Sequence, residues 1–241
     1  MSGALPELSW ATVDAYVDHA DRYPEAVVDG IDLKDAQRPW AVAAVEAAVP
    51  AGGRVLEIGC GDGLVVDVLG RRGYDAVGID AFEGGGFGPT GIDELRAARP
   101  QAHLVVGRYG ASQPAPAGAV DAAVSVSVLE HLDDEGIDDV FAGISRDVRA
   151  GGWSLHCVDV VLDGPTAAWH LDRLLQVWSR QRDLAGRPRP GAGDLVALVR
   201  SIEADAGAVR LTPEGYRRWR AAGDTNGFRT VVSVQLATPV A

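Results

Sequence analysis

The sequence predicts an α/β protein: a mostly parallel sheet with helices on both faces. Two observations carry this. Between residues 53 and 161, short apolar runs of strand length alternate with segments whose apolar residues recur at helical spacing, the pattern of βαβ units that feed a parallel sheet. One run, RVLEIG at 54–59, ends in glycines at 59, 61 and 63 and passes straight into a helical pattern. That is where an open α/β sheet turns its chain beside a ligand. With 241 residues, the chain is expected to form one domain around one core.

Taken in order, LSWATVDAYVDHADRY (8–23) reads as a helix entered at Ser9, with Trp10, Val13, Val17 and Ala20 on one face. A second helix is expected from Gln37 to Val49. RVLEIG is then a buried strand, DGLVVDVLGRRG (62–73) a helix closing near Gly73, and DAVGID (75–80) the second strand of the alternating region. A glycine-rich loop, AFEGGGFGP, leads to a weaker helix from Thr90, where Thr90 and Asp93 have capping-box spacing. AHLVV (102–106) and VDAAVSVS (120–127) are strands. The helix over 133–152 carries Ile137, Val140, Phe141, Ile144 and Val148 on one face and stops at Gly151-Gly152. WSLHCVDVVL (153–162) is the fifth strand. Residues 165–205 form a helical insertion, TAAWHLDRLLQVWSRQ and DLVALVRSIEADAG about a proline- and glycine-rich turn. The chain closes with VRL, a helix opened by Thr212-Pro213, and a last strand in FRTVVSVQLATPV.

A hydrophobic share of 47% with 23% charged residues is that of an ordinary globular chain. The net charge of -12 disfavours a nucleic-acid partner, because phosphate neutralisation supplies much of that affinity. MSGALPELSW lacks the features of a signal peptide, and no apolar run approaches a membrane span. A cytoplasmic protein without membrane or nucleic-acid partners is expected. Cys60 and Cys157 are isolated, which fits a reduced compartment and gives no metal-ligand spacing.

Two carboxylates qualify the glycine cluster. Glu57 lies inside the strand, two residues before the first glycine, where a charge is costly unless hydrogen-bonded. Asp80 ends the next strand, 21 residues beyond Gly59, the place at which an acidic residue accepts the ribose hydroxyls of an adenosine ligand. The glycine spacing is G-x-G-x-G, with Leu64 where a dinucleotide fingerprint has its third glycine, and Asp62 sits where a pyrophosphate would meet its charge. A phosphate-free adenosine ligand bearing an amino acid fits better.

On VLEIGCGDG (55–63), VGID (77–80), VDAAVSVSVLEHL (120–132) and VRAGGWSLHCVDV (148–160), the chain resembles the class I methyltransferases that use S-adenosylmethionine. The resemblance covers roughly 36–161, and LTPEGYRRWRAAG is similar to the family's lead-in to its last hairpin. It implies a Rossmann-like, seven-stranded sheet whose last strand is antiparallel. It also implies that Gly59, Cys60, Gly61 and Gly63 line the methionine part of the cofactor, that Glu57 organises the loop and that Asp80 holds the ribose. Ala81 or Phe82 would flank the adenine, and Ser127, Val128 and Glu130 would pass beneath the methionyl portion. One departure stands out: after the third strand the family commonly has GD, its aspartate accepting from the adenine amino group, and here the chain reads VVGRYG. Arg108 cannot accept that bond; backbone carbonyls serve instead, or the loop has shifted and Tyr109 stacks.

Placing an acceptor against an activated methyl supplies much of the rate, and a base helps where the acceptor carries a proton. The candidates for that base are His131, His156, Asp159 and His170. On the fifth strand Cys157 and Asp159 should share one face and His156 and Val158 the other. Trp169, beside His170 on the insertion, and Tyr16 and His19, which share a face of the N-terminal helix, are candidate substrate contacts. Residues 1–50 would then cover the cofactor and 165–205 the substrate. The first reading is a small-molecule methyltransferase acting on oxygen, nitrogen or carbon, in secondary metabolism of a bacterium with an arginine-rich, lysine-poor coding bias; a homodimer is left open. The alternatives are a non-catalytic adenosine-cofactor-binding protein and a nicotinamide oxidoreductase.

Overall fold

A computed structural model describes residues 5–28, 33–84, 89–110, 119–212 and 230–241. The alternating region folds as its pattern requires. Strands β2 (Arg54–Ile58), β3 (Asp75–Asp80), β4 (His103–Val106), β5 (Val120–Val126) and β6 (Val148–Val161) pair in parallel. The last strand, β8 (Val231–Pro239), joins β6 antiparallel. Helices α2 (Lys34–Ala48) and α3 (Leu64–Arg71) cover one face; α5 (Asp134–Asp147), α6 (Ala167–Leu184) and α7 (Ala192–Ala204) cover the other. Period-two alternation divides the core between them. Val55, Val124 and Leu155 point toward α2 and α3, whereas Leu56, Ile58, Ala123 and Val158 point toward α5 and α6. The short helix α4 (Asp93–Ala98) precedes the edge strand β4.

Four expectations change. First, among the described residues the sheet has eight strands, in the order β1 (Leu8–Trp10)-β8-β6-β5-β2-β3-β4, with β7 (Arg210–Leu211) also on β8. Second, the chain from Leu8 to Trp10 is strand β1 rather than helix. It pairs with Val234–Leu236, its Ser9 hydroxyl donates to the Gln235 side chain (3.0 Å), and the Trp10 indole donates to Asp205 (2.8 Å). The free edge of β8 overrides the helical spacing, and helix α1 (Val13–Arg22) starts instead at Thr12, whose hydroxyl caps Ala15 N–H. Third, α2 begins at Lys34, three residues before Gln37. Fourth, Val148 and Gly151-Gly152 belong to β6. Gly151 adopts φ 76°, and these glycines form an irregular start to the strand, bonded to both sides of Val240. The helix expected after Thr212 lies outside the described residues. Among the described residues, no helix is long and apolar enough to cross a membrane.

The insertion places α6 as a layer of the sheet. Leu174, Val177 and Trp178 are buried with Phe141 and Ile144 of α5. The buried Arg173 ties it to the turn before α5 through Asp134 and the Leu132 carbonyl. Its first two turns stand at the sheet's carboxyl edge, His170 beside the Asp159 carbonyl and Arg173 on the Leu132 carbonyl.

His156 is removed from the candidate bases by its position. It is fully buried among the α5–α6 core, its ring edge-on to Phe141, with Ser125 Oγ at 2.7 Å and Ser154 Oγ at 2.8 Å on its two nitrogens. Burial pushes its pKa down to about 3. The native imidazole therefore stays neutral where the unfolded chain takes up a proton, so this contribution to stability is lost as pH falls from about 6.5 toward 3. Between pH 7 and 5 the loss should be about 2 kcal/mol, because each tenfold rise in proton concentration below pH 6.5 favours the unfolded chain by about 1.4 kcal/mol. Urea unfolding at both pH values should show this extra loss in the natural chain relative to His156→Gln; parallel pH dependence of the two would refute it.

Candidate functional site

The turn from β2 into α3 is the centre of the site. Gly59, Gly61 and Gly63 all have left-handed φ (65°, 53° and 70°). At Gly59 a Cβ would lie 2.6 Å from the Val128 side chain, so that glycine lets the β5 loop close over the turn. At Gly61 a Cβ would meet nothing within 4 Å. Its backbone is bare toward open space, where a ligand can approach closely.

Two carboxylates brace this turn. Glu57 is buried under the start of α3 and accepts from the Val66 N–H, one of the donors a helix's first turn leaves unpaired. Burial, and then the charge of Asp62, push its carboxyl well above the ordinary range, against the pull of Arg38. Asp80 spans two segments, accepting from Gly61 N–H through Oδ2 and from Phe82 N–H through Oδ1, both at 2.9 Å. Asp62 turns to the helix start: it accepts from Leu64 N–H (3.1 Å) and pairs with Arg38 (3.1 Å). Cys60 is buried beneath, its thiol pushed up by burial and by Glu57 and Asp80.

A cleft of about 490 Å³ opens at the carboxyl ends of the strands. Gly59, Asp80 and Ala81 form one wall, Gly107, Arg108 and Tyr109 the floor, and Val128, His131 and the start of α5 the other wall. Ala81 thus meets the cleft, while Phe82 packs into the core beside α3. Tyr109 lines the cleft but is buried, its ring against Gly143 and its hydroxyl beside Asp147. Arg108 is exposed and pairs with Glu83.

A second group of polar residues converges beyond β5 and β6. Ser127, at φ 52°, donates through Oγ to Gln37 Oε1 (2.8 Å). The same Gln37 amide donates to Asp159 Oδ1 (2.7 Å) and Ser233 Oγ (2.9 Å). Glu130, fully buried, accepts from Asp159 N–H (3.0 Å), and burial followed by the Asp159 charge pushes its carboxyl well up. The His170 ring nitrogen Nδ1 lies 3.4 Å from the Asp159 carbonyl, and His131 is near enough to depress its pKa. His131 is exposed as a residue, yet partial desolvation and the Lys34 charge push its imidazole below the ordinary value. Desolvation lowers His170 as well. Both rings are neutral at pH 7, the form that can take a proton.

The structure thus gathers Glu57, Gly59, Gly61, Gly63 and Asp80 on one side of the edge and Ser127, Glu130, His131, Asp159 and His170 on the other. Trp169 is half-exposed on the first turn of α6, edge-on to His170 at 4.8 Å. Tyr16 and His19 lie on α1, which packs on α2, and they do not line the cleft. Gln37 was not anticipated. Its signal was available, since it shares the buried stripe with Trp40, Ala41, Ala44 and Val45 at helical spacing. Among the described residues, no group of three His, Cys, Asp or Glu is arranged to hold a metal ion.

Comparison with known proteins agrees with this arrangement. A family described as a methyltransferase domain matches residues 33–198, well over half of the chain. A ubiquinone biosynthesis O-methyltransferase of Chromobacterium violaceum is 30% identical over 43% of this chain and 43% of its own length. An 18S rRNA (guanine-N(7))-methyltransferase of Bos taurus is 36% identical over 32% of this chain and 26% of its own. The chain spans less than half the length of the curated relatives it matches. The crystal structure of a TehB-like SAM-dependent methyltransferase from Corynebacterium glutamicum covers 93% of this chain and 97% of its own at 20% identity, with a TM-score of 0.45, too loose a likeness to carry weight. The chain therefore belongs to the methyltransferase-domain family, in the class I, S-adenosylmethionine-dependent form that its motifs resemble.

Proposed function

We propose that this chain transfers a methyl group from S-adenosylmethionine to an oxygen, nitrogen or carbon of a small organic molecule. The observation that carries the reading is Gly61: a left-handed glycine with open space above it, its N–H tied to the Asp80 carboxylate at the mouth of the cleft. Each Asp80 oxygen has already accepted one backbone N–H and retains acceptor capacity for a ribose hydroxyl. Asp62 accepts from Leu64 N–H and so occupies the anion position at the start of α3 that a pyrophosphate would take. The cofactor supplies a methyl carbon already activated on sulfonium sulfur. The chain's own part is to orient the acceptor, exclude water, and accept a proton where the acceptor has one.

His131, Asp159 and His170 edge the place where that acceptor would sit, with the first turn of α6 and Trp169 as its cover. Relatives whose names state O-methylation in ubiquinone biosynthesis make oxygen the first acceptor atom to try. Secondary metabolism is the setting we propose, and a small acceptor suits a chain of net charge -12 better than a nucleic acid does.

Calorimetric titration should show saturable binding of S-adenosylmethionine and S-adenosylhomocysteine and none of NAD; tight NAD binding without the sulfur nucleosides would end this reading. Asp80→Ala should weaken S-adenosylhomocysteine at least about tenfold, because hydrogen bonds to charged groups are worth roughly 1.5–3 kcal/mol. Once an acceptor is turned over, alanine at the true base should lower kcat with cofactor affinity unchanged, and alanine at a positioning residue should chiefly raise the acceptor KM. Because both imidazoles titrate below their usual value, the acid limb of kcat should lie below about pH 6.5 if either is the base. An acid limb above that value would remove the two imidazoles from the chemistry, and full turnover in all three alanine variants would remove all three residues.

A further inference from the structure

We infer that Asp139 accepts the hydrogen bond from the adenine amino group of the cofactor; this rests on the cofactor reading above and deepens it. The acceptors along the cleft are its side chains and the floor's backbone carbonyls, and the assignment sets one of the side chains against those carbonyls. Gly107 N–H bonds the Asp80 carbonyl (2.8 Å), so residues 107–109 lead away from the ribose position along the floor, with Gly110 next in the chain. A base attached to a ribose held at Asp80 lies over this stretch. Its exocyclic amino group is a donor and needs an acceptor, and Arg108 has donors only.

The side chains facing that end divide clearly. Asp133 is exposed to solvent, and its carboxylate caps α5 at Gly136 N–H (2.8 Å). The Tyr109 hydroxyl is turned to Asp147. His131 borders Lys34 and His170, on the acceptor side of the edge. Asp139 remains, half-buried and lining the cleft on the same face of α5 as Gly136 and Val140. A carboxylate has about four acceptor sites, so it can serve the base beside its other contacts.

Gly110 supports the assignment independently. A Cβ built there would lie less than 2 Å from Asp139 Oδ2, so the carboxylate occupies the space directly over that backbone. Position 110 must lack a side chain for Asp139 to stand at the floor of the cleft, at the end away from Asp80.

The test compares S-adenosylhomocysteine with S-inosylhomocysteine, in which an oxo acceptor replaces the amino donor. Calorimetry on the full chain should show the natural protein favouring the adenosyl compound at least about tenfold, the size of one charge-assisted hydrogen bond. In Asp139→Asn, whose amide can donate as well as accept, the preference should fall to within about threefold. Gly110→Ala, which displaces the carboxylate, should also narrow it. Thermal melts establish that each variant is folded; should Asp139→Asn fail to fold, Asp139→Ser reads the same loss. Equal binding of the two compounds by the natural protein, or an Asp139→Asn that weakens both equally, would overturn the assignment. Failure of the natural protein to bind either compound would overturn the cofactor reading and this inference with it, an outcome distinct from the other two.

Discussion

The site depends on a left-handed turn held between two carboxylates. A strand must end, reverse its backbone sense and start a helix within five residues, leaving donors at the helix start with no partner. Glu57 takes one from below, and Asp80 reaches across from the neighbouring strand to Gly61. An ionised carboxylate buried at Glu57's depth would be destabilising, and burial drives that group toward its neutral form. Asp80 sits in the half-exposed layer, where its oxygens can still accept from a ligand. The same residue type therefore has two tasks, divided by depth.

Gln37 supplies the corresponding constraint on the other side of the edge. One amide, fully buried, joins α2 to Ser127, Asp159 and Ser233. Its donors and acceptor are all satisfied, the condition under which a buried polar group rigidifies its surroundings rather than weakening them. Ser127 is held at φ 52° where its hydroxyl meets this amide, and backbone strain of this kind persists only when neighbours over-determine it. The carboxyl end of β6 is thereby fixed to α2, and the next residue of that helix, Arg38, pairs with Asp62 in the turn after β2. Methyl transfer needs that relation, because displacement depends on the distance and line between acceptor and methyl.

The parallel sheet was legible because its central strands are buried on both faces, which leaves uninterrupted apolar runs separated by helix periods. The glycine turn was legible because left-handed backbone and close approach restrict residue choice. Strand β1 was misread because Leu8 to Trp10 fits a helix locally, and only the open edge of β8 decides otherwise. Gly151 and Gly152 do turn the chain, but inside a strand, since two bonds to Val240 hold them there. Polar residues were the harder class. His156 is among the candidate bases in the sequence and Gln37 is not, yet His156 is sealed between two serines and Gln37 commands the site edge. Which face of an element a polar side chain takes follows from tertiary neighbours, and single-residue chemistry does not reveal it.

The central claim, that the turn is shaped for a ligand rather than only for the fold, is tested most directly at Gly61. A methyl group there meets no protein atom within 4 Å, so Gly61→Ala should cost only the left-handed penalty of roughly 1 kcal/mol in stability. The account predicts that this folded variant binds S-adenosylhomocysteine at least about tenfold more weakly, because the methyl occupies the ligand's path. Unchanged affinity in a folded Gly61→Ala protein would contradict it.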